Sequence, residues 1–327
     1  MPRCLGLASQ PGVSLFANSI PFLVVRAAAF LERTNERFIH RRLVSTVITM
    51  IKQRLVKPFV AISKPITNNR YGQALLEYVA IGAQYLQGIG SGSSVSQSGE
   101  IAVFTKLKDS LRSKEELCVF DVGANKGQFL ALAHSCLADR RFRIHSFEPS
   151  RETYQLLCEN AGKYNDAVLN NCGLGRELGE RELFYDAVGS GLASLTKRNL
   201  DHVGIKMVLS EKVKILTIDD YCDRKQIEQI DLLKIDVEGH ELDVLAGGKG
   251  MFSKSAIGMV TFEFGGCNID TRTFLQDYFA FFKQHQMRVA RITPAGYLHD
   301  LDSYRESFEQ FRTTNFICYR HLDQRLY

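Results

Sequence analysis

Leu117-Cys118-Val119-Phe120-Asp121-Val122-Gly123-Ala124-Asn125-Lys126-Gly127 is the stretch that decides the fold of this chain. Its apolar first half reads as a buried strand, and its two glycines flanking an asparagine read as a tight turn. The amphipathic segment 128–137 that follows reads as a helix. Strand, glycine turn and helix form the local plan of a nucleotide-binding βα unit. Glycines there let backbone N–H groups and a helix N-terminus approach a ligand without a Cβ in the way. The spacing is D-x-G-x-N-x-G, not the G-x-G-x-x-G of a dinucleotide fingerprint, and Asp121 stands in the approach to the turn. A carboxylate there suits a cationic adenosyl-sulfonium ligand and would repel a pyrophosphate.

Outward from this unit, strands and helices alternate. Helices are expected over 101–112, 128–137, 152–164, 241–251 and 272–285. Strands are expected over 117–122, 143–147, 167–172, 230–237 and 258–264, with a last pair, 288–292 and 315–319, antiparallel at one edge. Repeated βα units imply a mainly parallel, doubly wound α/β sheet. The block 179–219 breaks the rhythm, with strands at 182–185 and 213–218 around a Gly/Ser-rich loop. Ahead of the alternation lie a basic helical region, 1–87, and a Gly/Ser run, 88–99, that reads as a flexible linker to a catalytic domain over 100–327.

The net charge of +5 is unevenly spread. Residues 1–70 hold eleven Lys/Arg against two acids, a surplus of nine, which leaves −4 for the remainder. The ladder Ile39, Leu43, Val47, Ile51 and Leu55 with basic residues between predicts an amphipathic helix over 38–62. It packs on the main domain or meets an anionic membrane peripherally. The apolar stretch 11–31 is broken by Asn18, Pro21 and Arg26, which argues against a span or a signal peptide. Eight cysteines without a C-x-x-C pair exclude a zinc ribbon and read as buried thiols in a reducing, cytoplasmic setting. The acidic catalytic region, with no basic stripe, excludes nucleic acid as a partner.

Two places carry chemistry. Glu148 follows Gly127 by 21 residues, at a strand end, where an acid can accept both hydroxyls of a ribose. The run Asp231-Leu-Leu-Lys-Ile-Asp-Val-Glu-Gly-His-Glu241 delivers Asp236 and Glu238 to the carboxyl end of a core strand, side chains on one face. Paired acids there can orient a nucleophile, take its proton or hold a divalent cation. No third oxygen ligand is evident, so no metal is assigned. Glu241 reads as an acid in the first turn of the next helix.

Asp121–Gly127, Phe147-Glu-Pro149, Leu216-Thr-Ile-Asp-Asp220, Leu233–Glu241, Phe262-Glu263 and Thr314–Ile317 together resemble the FkbM family of S-adenosylmethionine-dependent methyltransferases. The resemblance runs in order over about 200 residues and leaves 1–99 outside. It implies a class I methyltransferase fold of seven strands, the last antiparallel. It also implies S-adenosyl-L-methionine as cofactor and a small-molecule acceptor with a hydroxyl, on a sugar, polyketide or other natural product. Carried over, Asp121, Gly123, Asn125 and Gly127 are the cofactor loop, Glu148 the ribose ligand, and Asn171 and Cys172 the adenine edge. Asp236, Glu238 and His240 are the candidate catalytic residues. Residues 189–195 and 265–271 are expected to border the acceptor pocket. An NAD-dependent oxidoreductase and a catalytically silent binding protein of the same fold are the alternatives.

Overall fold

The computed structural model describes residues 58, 60–92 and 98–320, so the amphipathic helix expected over 38–62 lies almost wholly outside the described residues. The chain divides into two compact units, Met1–Glu77 and Tyr78–Tyr327. Helix α1 (Arg70–Leu86) begins at the end of the first, where Asn69 Oδ1 accepts the N–H of Gly72 at 2.9 Å and caps it. Among the described residues, no helix is long and apolar enough to cross a membrane.

In the second unit, α2 (Ile101–Ser110) precedes β1 (Glu116–Val122), α3 (Gln128–Cys136), β2 (Arg141–Phe147), α4 (Arg151–Ala161) and β3 (Ala167–Asn170). Then come β4 (Gly173–Leu174), β5 (Gly179–Tyr185), β6 (Leu209–Leu216), α5 (Ile218–Lys225) and β7 (Ile230–Ile235). The rest is α6 (Glu241–Ala246), α7 (Lys249–Ser253), β8 (Ile257–Phe264), α8 (Cys267–Thr271), α9 (Leu275–Gln284), β9 (Met287–Ile292), β10 (Leu298–Leu301) and β11 (Thr314–Arg320). The main sheet runs β10-β9-β11-β8-β7-β1-β2-β3. β1 pairs parallel with β2 and β7, and β7 with β8, whereas β11 pairs antiparallel with β8 and β9. The first seven-strand expectation therefore holds, with β10 added as a hairpin partner of β9.

β1 shows why the sheet is covered on both faces. Phe120 and Val122 enter one apolar cluster with Phe147, Leu233, Ile235 and Phe262, while Leu117 and Val119 enter another with Phe104, Phe129, Leu130 and Ile144. Alternating side chains with no polar face demand helices on each side. The last pair forms as expected, β11 antiparallel to β9 at one end of the sheet with only β10 beyond it, and Phe316, Ile317 and Cys318 of β11 are all buried between β8 and β9.

Two further features correct the reading of the sequence. The irregular block forms a separate sheet, β4-β6-β5. The strand expected to reach residue 218 stops at Leu216, because Thr217 Oγ1 accepts the N–H of Asp220 at 3.1 Å and starts α5. The Gly/Ser run is docked where it is described. The N–H groups of Gly90 and Gly92 donate to the Thr313 carbonyl at 3.0 and 3.1 Å, and Ser91 and Ser98 are buried. A Cβ on Gly88 would stand 2.2 Å from the Ile292 carbonyl oxygen, so glycine here permits close approach and not only bending.

Candidate active site

The carboxyl ends of β1, β2 and β7 meet where the strand order reverses, the crevice in which open α/β sheets bind ligands. Gly123, at φ +81°, leaves β1 so close to β7 that a Cβ would lie 1.8 Å from the Asp236 carbonyl oxygen. The Asp236 N–H donates to Val122 O at 2.9 Å, which fixes the two strand ends to each other. Asn125 adopts φ +47° and Gly127 φ +89°, completing the turn into α3.

Glu148, 6% exposed, closes this turn from β2: Oε2 accepts the Asn125 N–H at 3.0 Å and Oε1 the Ser150 N–H at 2.9 Å. Burial pushes its carboxyl up to about 7 against the pull of those two donors. Asn125 Nδ2 donates to Ser190 O at 3.0 Å, and Asn125 Oδ1 is buried without a partner among the described residues.

A cleft of about 710 Å³, open mouth included, runs past these groups. Leu174, Leu183 and Ile215 give it apolar wall, and Glu148, Asn125, Asp236, Glu238 and His240 give it polar wall. A larger cavity, about 2050 Å³ by the same measure, is lined by Glu100, Phe129, Lys234, Asp236, Glu238 and Glu263 among others. Gly123, Asn125, Asp236 and Glu238 line both.

The expected catalytic residues separate in their surroundings. Asp236 presents a side chain 41% exposed, facing Lys234 Nζ at 3.5 Å. Glu238 holds φ +53° and is ion-paired with Arg198, which also reaches Asp270 at 3.3 Å. Burial, then Asp236, raise the Glu238 carboxyl to about 8 against the Arg198 charge. His240 has both ring nitrogens engaged, Nδ1 with Asp243 at 2.9 Å and Nε2 with Thr196 Oγ1 at 3.0 Å, and it lines only the cleft.

Asp121 does not reach the site as expected. It is wholly buried, 3.0 Å from Lys234 Nζ, and lines neither space; its charge is met inside the protein and is not presented to a ligand. Gly127 and Cys172 also line neither. Asn171 instead ties the turn after β2, donating to Glu148 O at 3.0 Å and Pro149 O at 3.2 Å. Its neighbours Gly173 and Leu174 form the apolar wall. Glu241 is more than a helix-end charge: 1% exposed, it accepts the N–H groups of Gly239 (3.0 Å) and Val237 (3.3 Å) and the Tyr278 hydroxyl (3.0 Å), clamping the loop that carries Glu238. Of residues 189–195, expected at the acceptor pocket, Ser190, Gly191, Ala193, Ser194 and Leu195 line the cleft, and Gly191 and Leu192 line the larger cavity. Residues 265–271 line neither space; they pack on the loop after β7, where a Cβ on Gly239 would meet Cys267 O at 3.0 Å.

Three residues were missed from sequence. Lys234 and Glu100 line the cavity, and Glu263, at the end of β8, brings its carboxylate within 4.8 Å of those of Asp236 and Glu238. Three carboxylates at that spacing have room for a hard cation, but beyond the acids themselves nothing there points to one, and Lys234 already brings positive charge.

The family model for the methyltransferase FkbM domain matches residues 121–289, just over half of the chain. Among curated relatives, the 31-O-demethyl-FK506 methyltransferase FkbM of Streptomyces tacrolimicus is 33% identical over 39% of this chain and 58% of its own length. The hexuronic acid methyltransferase AglP of Haloferax volcanii is 26% identical over 41% and 51%, and the 2-O-methyltransferase NoeI of Sinorhizobium fredii 26% over 45% and 63%. The chain thus spans about half to three fifths of the length of these relatives. The crystal structure of methyltransferase FkbM from Methylobacillus flagellatus aligns over 77% of this chain and 62% of its own, at 14% identity and a TM-score of 0.38.

Proposed function

The chain belongs to the FkbM methyltransferase family, and from that premise we propose that it methylates a hydroxyl on a sugar, polyketide or other small natural product, with S-adenosyl-L-methionine as donor. This replaces the oxidoreductase alternative. The observation that carries the reading is that cleft and cavity share Asp236 in their walls, so one carboxylate faces both a donor and an acceptor space.

The residues of the cleft fit the parts of the cofactor. The apolar wall of Leu174, Leu183 and Ile215 suits adenine, and Glu148 suits the ribose hydroxyls. The unpartnered Oδ1 of Asn125 is an acceptor awaiting a donor such as the methionyl ammonium. Bound there, the cofactor supplies an electrophilic methyl group on a sulfonium. Asp236 receives the proton that the acceptor hydroxyl gives up, and Glu238, held by Arg198 and the Glu241 clamp, shapes the floor between the two spaces. Holding both partners in line supplies much of the rate, worth roughly 7–11 kcal/mol in favourable cases.

The names of the relatives, which speak of hexuronic acid, a demethylated FK506 and a 2-O position, support a hydroxyl-bearing small molecule as acceptor. The free thiols among the described residues support a reducing compartment, and the surplus of nine positive charges in residues 1–70 supports peripheral contact with an anionic membrane. Calorimetric titration with S-adenosylmethionine and with NADH tests the premise. Binding of the first and not the second is expected, and the reverse would sink the reading. A mass-spectrometric search for acceptors that gain one methylene in extract fractions then identifies the substrate.

A further inference from the structure

The site holds one buried cation that the mechanism above does not use. Lys234 sits in the middle strand of the sheet, in register with Asp121 of β1 and Thr261 of β8, and is 7% exposed. A lysine there, after Leu232 and Leu233 and before Ile235, gives up most of its hydration and side-chain freedom, so its head group must find partners inside. It finds three. Nζ lies 3.0 Å from Asp121 Oδ1, donates to Gly123 O at 3.0 Å, and stands 3.5 Å from Asp236 Oδ2. The Phe129 ring, 5.7 Å away, closes one side.

These contacts have different consequences. Asp121 neutralises the ammonium from the closed side of the sheet. Gly123 belongs to the turn that borders the cofactor cleft, and Asp236 is the carboxylate that faces the acceptor. Through one head group, the cofactor turn and the acceptor-facing acid are therefore held at a fixed distance from each other. Among the described residues, the other charged side chains that line this cavity are acidic, Glu100 ahead of α2, Asp236 and Glu238 after β7, and Glu263 on β8, with Arg198 paired to Glu238 from outside it. Burial works against the lysine's charge, yet Asp121, Asp236 and Glu100 more than offset it, so Lys234 stays an ammonium beyond the ordinary lysine range.

Resting on the methyl-transfer reading, we propose that Lys234 is the positioning residue of the reaction: its ammonium ties the Gly123 carbonyl to the Asp236 carboxylate and aims that carboxylate at the acceptor. Its head group stands in the cavity wall, and it acts on the reaction through Asp236 and through the turn. A purely structural lysine would need only Asp121. The third contact, to a partly exposed carboxylate on the cavity wall, distinguishes it.

Lys234→Met alone would strand the buried Asp121 charge and is open to misfolding. The informative pair is Asp121→Asn and Asp121→Asn/Lys234→Met, which share a neutral residue 121 and differ only in the ammonium. Both are compared with the full-length wild-type chain in S-adenosylmethionine affinity and steady-state methyl transfer. With kcat at least tenfold lower in the double variant than in Asp121→Asn, and both KM values within threefold, the positioning role stands. Equal kcat in the two variants would reduce Lys234 to a charge balance for Asp121 and overturn it. A fall in cofactor affinity with unchanged kcat would also overturn it, by confining Lys234 to the cofactor turn. If the wild type binds no S-adenosylmethionine, the methyl-transfer reading itself fails, before any variant is compared.

Discussion

At the amino end of β7, Asp231 is wholly buried and its oxygens are fully used: Lys114 Nζ lies 2.7 and 2.8 Å away, and the Cys118 N–H donates at 2.7 Å. At the carboxyl end of the same strand, Lys234 is shared between Asp121 and Asp236, and the nearby Glu238 and Glu263 carboxyls are both raised by burial and then by the Asp236 charge. Both ends join a lysine to a buried aspartate, but one network is closed and the other holds more acid than it can match. A closed buried network stabilises a fold by tying strands together. An open one is costly unless a ligand or a reaction uses it. The difference marks which end of the sheet does chemistry.

The largest effect is expected at the closed end. Asp231→Ala removes the acceptor of the Cys118 N–H and the partner of Lys114. Because Lys114 is partly exposed and can rehydrate, about 2–4 kcal/mol of stability should be lost, less than for a fully buried pair. Urea unfolding measures it, and an unchanged free energy would end the claim that this end is a structural clamp.

A smaller effect, on affinity, is expected at the open end. Glu148→Ala should weaken S-adenosylmethionine binding by about 1–3 kcal/mol, through unpaired ribose hydroxyls. The same residue gives a pH signature. With the Glu148 carboxyl near 7, hydroxyl donors favour its charged form, so binding around neutrality should release protons and weaken as pH falls through about 7. Calorimetry in buffers of different ionisation enthalpy counts those protons. Release that persists in Glu148→Gln would place the titrating group elsewhere.

The smallest effect concerns metal. With Lys234 as the counter-charge, EDTA should leave turnover within about twofold, the range of ordinary surface perturbations. A loss restored by Mg²⁺ would put a cation among Asp236, Glu238 and Glu263 and shift the balancing role away from the lysine.

Much of the open end was legible in the sequence, because residue type and spacing were constrained together. Gly123 had to be glycine for β1 to approach β7, Glu148 had to end a strand, and Asp236 was an acid after an apolar run. The same argument applied to Lys234, a cation two residues earlier in that run, and was not made for it. Asp121 misled for a related reason: its position was right, but its charge is consumed by a lysine that is distant in sequence and adjacent in register. The described part of the Gly/Ser run misled because composition reports local freedom and not the carbonyl of Thr313, 221 and 223 residues on from Gly92 and Gly90. The Thr217 cap and the third acid, Glu263, likewise depend on partners the local pattern does not name.

The central claim is that Asp236 serves the chemical step at the open end of β7. Asp236→Asn keeps the shape and removes the charge, so it isolates proton handling from packing. The measurement is methyl transfer at saturating S-adenosylmethionine beside cofactor affinity by calorimetry. Turnover should fall about 10²-fold or more, as for a lost general base, with affinity nearly unchanged. Lost affinity with turnover retained at saturation would contradict the account, making Asp236 a binding residue and leaving Glu238 as the base.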